Sequence, residues 1–228
     1  MCVLNKQMSD KFLFYSKSAD VKPGKGTQEY SYDISKYTEL HKITNWRRML
    51  SNFYISPFVL DGENWNSVEH FFHAVKFRDN KKLGKKYEFY KTFTADSGSP
   101  WSLEPVLSKQ AGKAGRVSET TGKVYDKKIG NIKIPKDISI DPDFYSKGIH
   151  IKVQSLAFLA KFTQNDELKN MLLETKDAEL WHYVGRGAPN QLWTSLMKVR
   201  ECIKKYDRVY DLKELSKLPP EFVTKILK

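Results

Sequence analysis

Apolar residues at helical spacing predict a short helix over residues 68–77. Four of them would share one face of that helix, which we assign to the core: Val68, Phe71, Phe72 and Val75. Asn66 and Ser67 precede the helix and are both good N-cap residues, because their side-chain oxygens can accept hydrogen bonds from the first turn.

A strand is predicted just upstream, over residues 54–60. This segment is rich in β-branched and aromatic residues. Asp61 and Gly62 follow it and form a turn pair, because glycine tolerates a positive φ angle.

The predicted helix carries a second stripe made of Glu69, His73 and Lys76. Phe72 and Phe77 would flank it on either side, so the stripe is narrow and bounded by aromatic residues. A carboxylate, an imidazole and an amine held between apolar walls are expected to have perturbed pKa values. Such groups suit acid–base or nucleophilic chemistry.

Two structural interpretations compete with this catalytic one. Asn66 and Glu69 fit a variant of the capping box, in which Glu69 only closes the start of the helix. The row of polar residues also fits a solvated face with weak side-chain pairs.

Patterns elsewhere give further elements. Residues 12–16 predict a strand, and the basic loop 17–26 after it is either a surface turn or a phosphate-contacting loop. Helical patterns occur at 79–91, 106–116, 144–162, 165–174 and 191–203, with Asn165 or Thr163 as the cap of the fourth. Residues 94–105 and 117–143 favour loops. The fold class is therefore α+β: a mostly helical single domain with a small sheet.

Composition and charge narrow the function classes. Hydrophobic residues make up 40% of the 228 residues and aromatic residues 13%, which is enough for a real core. The formal net charge is +12, and only seven of the 39 basic residues are Arg. Dispersed Lys gives a general positive field that attracts phosphates, on a small molecule or on nucleic acid, or it is simply a solvated surface.

The cysteine content and the ends of the chain suggest a compartment. Cys2 and Cys202 cannot build a disulfide framework or a Cys-rich zinc site, which suits a reducing environment. We see no apolar signal-peptide region, no membrane-length apolar run and no metal-ligand spacing, so we expect a cytoplasmic protein without a cofactor or a membrane partner. Met8 is a possible alternative start.

One contiguous block, residues 50–77, resembles the signature of the NADAR (YbiA-like) family. That pattern is close to SNFY, a strand, and then DG-x-x-W-x-S-x-EH-x-x-x-A-x-KF. The matching residues are Ser51, Asn52, Phe53, Asp61, Gly62, Trp65, Ser67, Glu69, His70, Ala74, Lys76 and Phe77. The resemblance implies a YbiA-like fold over residues 12–204, with insertions near 27–46 and 117–143 and extensions at 1–11 and 205–228.

The resemblance also implies an activity, the cleavage of N-glycosidic bonds. Family members cleave ribosylated riboflavin-pathway intermediates, or ADP-ribose attached to guanine bases. The implied partner is therefore a small ribosylated molecule or an ADP-ribosylated guanine base, free or in nucleic acid. A non-catalytic module that binds ADP-ribose or nucleic acid is the alternative.

Site residues follow from the same resemblance and from the stripe on the helix. Glu69 and Lys76 are the predicted catalytic pair: Glu69 stabilises positive charge on the ribose, and Lys76 or His73 protonates the leaving base. Lys76 could instead attack the anomeric carbon and form a Schiff base. The predicted substrate-binding residues are Tyr15, Ser16, Asn52, Phe53, His73, Arg116, Trp181 and Asn190. His70 is expected to brace the signature loop.

The chain departs from the family pattern near its end. The Trp-Gly segment of relatives is not found, and Trp181-His182-Tyr183 and Gly185-Arg186-Gly187 stand there instead. This difference makes the base specificity an open question at the level of sequence.

Overall fold

The fold is α+β, as the sequence predicts, and is mostly helical. A computed structural model describes residues 9–78, 83–117, 120–125, 128–129, 132–185 and 187–207. The helices are α1 (Thr38–Lys42), α2 (Trp46–Met49), α3 (Val68–Val75), α4 (Gly84–Lys91), α5 (Pro100–Leu103), α6 (Pro105–Ala111), α7 (Asp143–Ser146), α8 (Ile149–Thr163), α9 (Asp166–Glu174) and α10 (Thr194–Tyr206). The strands are β1 (Lys11–Phe14), β2 (Phe58–Leu60), β3 (Glu63–Trp65), β4 (Lys128–Ile129), β5 (Ile132–Lys133), β6 (Glu179–His182) and β7 (Gln191–Leu192).

A three-stranded sheet in the order β1-β6-β7 joins the two ends of the described chain. Strand β1 lies parallel to β6, with Phe14 opposite His182, and β7 lies antiparallel to β6. The sequence predicted the first strand but not β6 or β7, because both are short and β6 pairs with a strand far away in the chain.

Strands β2 and β3 form a tight hairpin around the predicted turn. Asp61 and Gly62 have φ angles of 58° and 76°, the combination that a type I′ turn requires. The predicted strand 54–60 is shorter in the structure, and β3 was not predicted. The Trp65 indole N–H donates to the Leu60 carbonyl and closes the hairpin.

The C-terminal helices differ from the prediction in their boundaries. The predicted helix 144–162 is two helices, because Gly148 adopts a positive φ of 68° between α7 and α8. Asn165 caps α9 by accepting a hydrogen bond from the Leu168 N–H. Helix α10 begins at Thr194, not at Gln191, because Gln191 and Leu192 pair with β6.

Two segments predicted as loops contain regular structure. Helix α5 lies within 94–105, where Ser99 caps it and Pro100 occupies its first turn. Strands β4 and β5 pair within 117–143. Residues 79–82 of the predicted helix 79–91 lie outside the described residues, as do residues 1–8 of the N-terminal extension and 208–228 of the C-terminal extension.

Helix α8 is the centre of the packing, since it contacts α3, α9 and α10 as well as β2. The core also receives Tyr37, Leu40 and Trp46 from the predicted insertion 27–46, all of them buried. Helix α3 is therefore enclosed by α8 on one side and by α6 on another. Among the described residues, no helix combines the length and the apolar character needed to cross a membrane.

Candidate active site

Helix α3 and its C-cap residue, Lys76, place three polar side chains in the interior. Glu69, His73 and Lys76 are only 5%, 6% and 5% exposed. The interpretation of this stripe as a solvated face is therefore wrong.

The capping-box interpretation is also wrong. Ser67, not Asn66, occupies the N-cap position, and the Asn66 amide donates to the Ser102 carbonyl. The Ser67 hydroxyl pairs with Nδ1 of His70 at 2.7 Å. His70 is completely buried, as expected for a residue that braces the signature segment.

The three side chains of the stripe form one hydrogen-bonded row. His73 Nε2 lies 3.0 Å from Glu69 Oε1, and Lys76 Nζ lies 2.9 Å from His73 Nδ1. When the Lys76 ammonium donates to Nδ1, that nitrogen accepts, and Nε2 carries the imidazole proton and donates to Glu69. The row can therefore relay a proton from the amine towards the carboxylate.

Burial and neighbouring charges shift the pKa values of all three groups. Burial raises the pKa of Glu69, but the hydrogen bond from His73 and the charges of Lys109 and Lys76 outweigh it and hold the pKa below its usual value. Burial lowers the pKa of His73, so its imidazole is neutral. Burial also lowers the pKa of Lys76 to about 8, despite the attraction of Glu69.

The row lines a cavity of about 710 Å³. Asn52 and Phe53, both predicted to bind substrate, lie in its wall, as does Phe72. The Lys76 ammonium lies 5.2 Å from the centre of the Phe72 ring. Phe77 does not flank the row as predicted. It is completely buried and packs against Phe89 instead.

Lys161 holds the segment that carries Asn52 and Phe53. Its Nζ donates to the carbonyls of Met49 and Ser51 at 2.6 and 2.9 Å. The side chain is completely buried, and this burial lowers its pKa to about 7. Sequence reasoning did not single out this residue, because the carbonyls that it binds lie more than a hundred positions away in the chain.

One wall of the cavity is cationic. Lys109, Lys113 and Arg116, from α6 and the turn after it, all line the cavity. The Lys109 ammonium lies 5.6 Å from the centre of the Phe53 ring. Within the part of the chain that the structure describes, none of the three cations forms an ion pair with a carboxylate. Their charges are therefore available to an anionic group of a ligand.

Two predicted binding residues near the N-terminus lie outside the lining of this cavity. Tyr15 lines a smaller cavity of about 360 Å³ beside the basic loop and packs against Tyr183. Ser16 is exposed.

The two predicted binding residues near the C-terminus also lie outside that lining. The Trp181 indole donates to Glu179, and the Asn190 amide donates to Gln28. The structure thus brings together six of the ten predicted residues: Glu69, Lys76, Asn52, Phe53, His73 and Arg116.

His182 and Trp193 line the cavity in place of Trp181. Neighbouring residues of a strand point to opposite faces, so the two residues next to each other in β6 cannot both face the cavity. A predicted strand over residues 179–182 would have identified His182 as the alternative to Trp181 for the residue that faces the cavity.

No group of three or more His, Cys, Asp and Glu side chains among the described residues is arranged to hold a metal ion.

Comparisons with known proteins support a likeness in structure only. The chain matches no protein-family model and no curated protein. Among solved structures it is similar to the NMR structure of the E. coli protein YbiA, with a TM-score of 0.49 and 20% sequence identity. The match covers 89% of this chain and 90% of that one.

Proposed function

We propose that this protein is an N-glycosidase that hydrolyses the bond between a ribose and a base nitrogen. The observation that carries this proposal is the buried, hydrogen-bonded row of Glu69, His73 and Lys76 in the wall of a ligand-sized cavity. The resemblance of residues 50–77 to the NADAR signature supplies the reaction class. The row itself lies within that signature block.

Glu69 is proposed to stabilise the transition state. As the bond from C1 of the ribose to the base breaks, its electron pair leaves with the base nitrogen and positive charge develops on C1 and the ring oxygen. An ionised carboxylate in a buried site stabilises that charge strongly. The lowered pKa of Glu69 keeps it ionised at neutral pH.

Lys76 is proposed to attack C1 as a free amine. Its pKa of about 8 leaves roughly a tenth of the side chain unprotonated at pH 7, and the row through His73 can accept the amine proton. The new bond from Nζ to C1 replaces the bond from C1 to the base, and the proton that Nζ releases ends on the departing base nitrogen. The adduct becomes a Schiff base when the bond from C1 to the ring oxygen breaks and that oxygen takes up a proton from water. Water then adds to C1, and loss of Nζ releases the sugar and restores the amine.

A second role is open to the same ammonium. In its protonated form, Lys76 could donate a proton to the leaving base while water attacks C1 directly. His73 is placed between Lys76 and Glu69, so it serves either route by positioning them.

The substrate is proposed to carry phosphate. Lys109, Lys113 and Arg116 form a cationic wall beside the row, without a carboxylate partner among the described residues, and an Arg side chain can bind phosphate through two parallel hydrogen bonds. Asn52 would bind ribose hydroxyls and Phe53 would pack against the sugar or base. Both a ribosylaminopyrimidine phosphate and ADP-ribosylated guanine fit this description. Tyr15, Ser16, Trp181 and Asn190 would contact only a substrate that extends beyond this cavity.

Base release tests the proposal. The protein is incubated with ADP-ribosylated guanosine or DNA and, separately, with a ribosylaminopyrimidine phosphate, and free base is followed by chromatography. Glu69→Gln and Lys76→Ala are measured in parallel, and the exposed pair Glu167→Gln and Lys152→Ala serves as the matched control. We expect release from one substrate, a loss of about 10²-fold or more in the first pair, and no change in the controls.

Two results would contradict the proposal. Equal rates in the wild type and in both site variants would remove Glu69 and Lys76 from the chemistry. Tight binding of ADP-ribose or nucleic acid by calorimetry, with no release from either substrate, would favour the non-catalytic binding module.

A further inference from the structure

Strand β6 and the start of α10 bring two aromatic side chains together in the cavity wall. The rings of His182 and Trp193 have centroids 4.6 Å apart and are inclined by 49°. Phe14 packs edge-on against both rings, at 5.4 and 6.1 Å. The backbone N–H of Trp193 donates to the Leu180 carbonyl in β6, which fixes the two residues relative to each other.

The polar atoms of this pair have no hydrogen-bond partners among the described residues. Nδ1 of His182 and Nε1 of Trp193 are both buried and unpaired, and Nε2 of His182 makes no hydrogen bond there either. Neither of these two buried atoms is open to the cavity, whereas Nε2 of His182 is not buried and can hydrogen-bond to a ligand there.

The pair lies at one end of the catalytic row. Glu69 and Lys109 act on the pKa values of both His182 and Lys76, whereas Lys113 and Arg116 act on that of Lys76 but not on that of His182. The aromatic pair is therefore at the Glu69 end of the row, and Lys113 and Arg116 are at the Lys76 end. Burial lowers the pKa of His182, so its neutral ring offers one donor and one acceptor.

We propose that His182 and Trp193 form the subsite for the flat heteroaromatic ring of the leaving base. The base stacks against the paired rings, and its polar edge hydrogen-bonds to Nε2 of His182. This inference rests on the proposed function, because it orients the substrate with its base at the Glu69 end and its phosphate at Lys113 and Arg116. The two residues then determine which base is accepted.

Binding of two partial ligands tests the subsite. Guanosine carries a base without phosphate, and ribose 5-phosphate carries phosphate without a base. Their affinities are measured by calorimetry for the wild type, His182→Ala and Trp193→Ala, with Trp181→Phe as the control that faces away from the cavity. Because each alanine substitution removes one of the two rings on which the base stacks, we expect guanosine to bind at least tenfold more weakly to both site variants. Ribose 5-phosphate should bind all four proteins within about twofold.

A milder variant keeps the test valid if an alanine variant does not fold. His182→Phe retains an aromatic ring but removes both nitrogens, and it should weaken guanosine binding without affecting ribose 5-phosphate. Equal guanosine affinity in all variants would overturn the subsite, as would a wild type that binds neither guanosine nor a ribosylaminopyrimidine without phosphate.

Base release separates this inference from the proposed activity. Selective loss of guanosine binding in the two site variants, with no base release by the wild type, would support the subsite and refute the glycosidase. Base release with an unchanged KM in His182→Ala and Trp193→Ala would support the glycosidase and refute the subsite.

Discussion

The backbone of Gly112 lies directly against the imidazole of His73. A Cβ atom built at position 112 would lie 2.1 Å from Nδ1 of that ring and 2.6 Å from Cγ. Gly112 has an ordinary φ of −63°, so its conformation does not require glycine. The close approach requires it, and Nδ1 is the same atom that pairs with Lys76.

Gly112→Ala should therefore damage the row without disturbing the local backbone conformation. The added methyl group must displace the His73 ring, because a separation near 2 Å is far inside van der Waals contact. Displacing a catalytic group by about 1 Å can cost about 10²-fold in rate, and we expect a loss of that order in base release. Circular dichroism should show an intact fold.

Gly148→Ala is the control for this substitution. A Cβ there would meet nothing within 4 Å, although the positive φ of 68° costs about 1–2 kcal/mol. It should lower the thermal stability and leave the rate of base release unchanged. Equal activity of Gly112→Ala and the wild type would contradict the assigned role of His73.

Loss of the Lys161 ammonium should loosen the wall that carries Asn52 and Phe53. Lys161→Met removes two hydrogen bonds: the Met49 carbonyl loses its lysine donor, and the Ser51 carbonyl keeps only the bond from the Tyr54 N–H. The free energy of unfolding should therefore fall by about 1–3 kcal/mol. The KM for the substrate should rise.

Lys152→Met, an exposed position of the same helix, is the matched control. It should change neither the free energy of unfolding in urea nor the KM. An unaltered KM in Lys161→Met would show that the buried lysine has only a structural role.

The lowered pKa of Lys76 makes stability depend on pH. Its pKa is about 8 in the folded protein and 10.5 in the unfolded chain, so the unfolded state binds more protons between these two values. The free energy of unfolding should therefore rise with pH across this window, by up to about 3 kcal/mol. Lys76→Met should lack this contribution.

The difference in the free energy of unfolding between the wild type and Lys76→Met separates this effect from that of other titrating groups. Urea unfolding at pH 7.5, 9 and 10.5 measures it, with the wild type gaining stability relative to the variant as the pH rises. If the free energy of unfolding changed equally with pH in the wild type and in Lys76→Met, the pKa of Lys76 would not be lowered by folding.

The same lowered pKa predicts how activity depends on pH. If the free amine of Lys76 attacks C1, kcat should increase as the pH rises through about 8. Borohydride added during turnover should reduce the Schiff base and leave a covalent sugar adduct, detectable by mass spectrometry and absent from Lys76→Met. A kcat that decreases above pH 8, without an adduct, would assign the proton-donor role instead.

Removal of Lys113 or Arg116 should weaken substrate binding more than it slows the chemical step. Lys113→Ala and Arg116→Ala should each raise the KM of a phosphate-bearing substrate several-fold and reduce its dependence on salt, with little change in kcat. Lys36→Ala, an exposed lysine that does not line the cavity, is the control. An equal increase in KM for all three substitutions would indicate a general electrostatic field and not a binding site.

Local sequence determined the parts of this protein that depend on a single segment. The spacing of Glu69, His73 and Lys76 predicts one face of a helix, because side chains three, four and seven positions apart align in any α-helix. The turn at Asp61-Gly62 was equally predictable, since few residues tolerate positive φ angles. Both features are present as expected.

Tertiary structure decided what that face meets. The same row of residues would be solvated on an isolated helix. Packing of α8 and α6 against α3 encloses it, and this burial lowers the pKa of Lys76. The contacts of Lys161 with residues 49 and 51, of Gly112 with His73, and of His182 with Trp193 all join separate elements. Periodicity cannot predict them, because spacing along a chain fixes directions within one element, whereas the distances between elements arise only when the whole core packs.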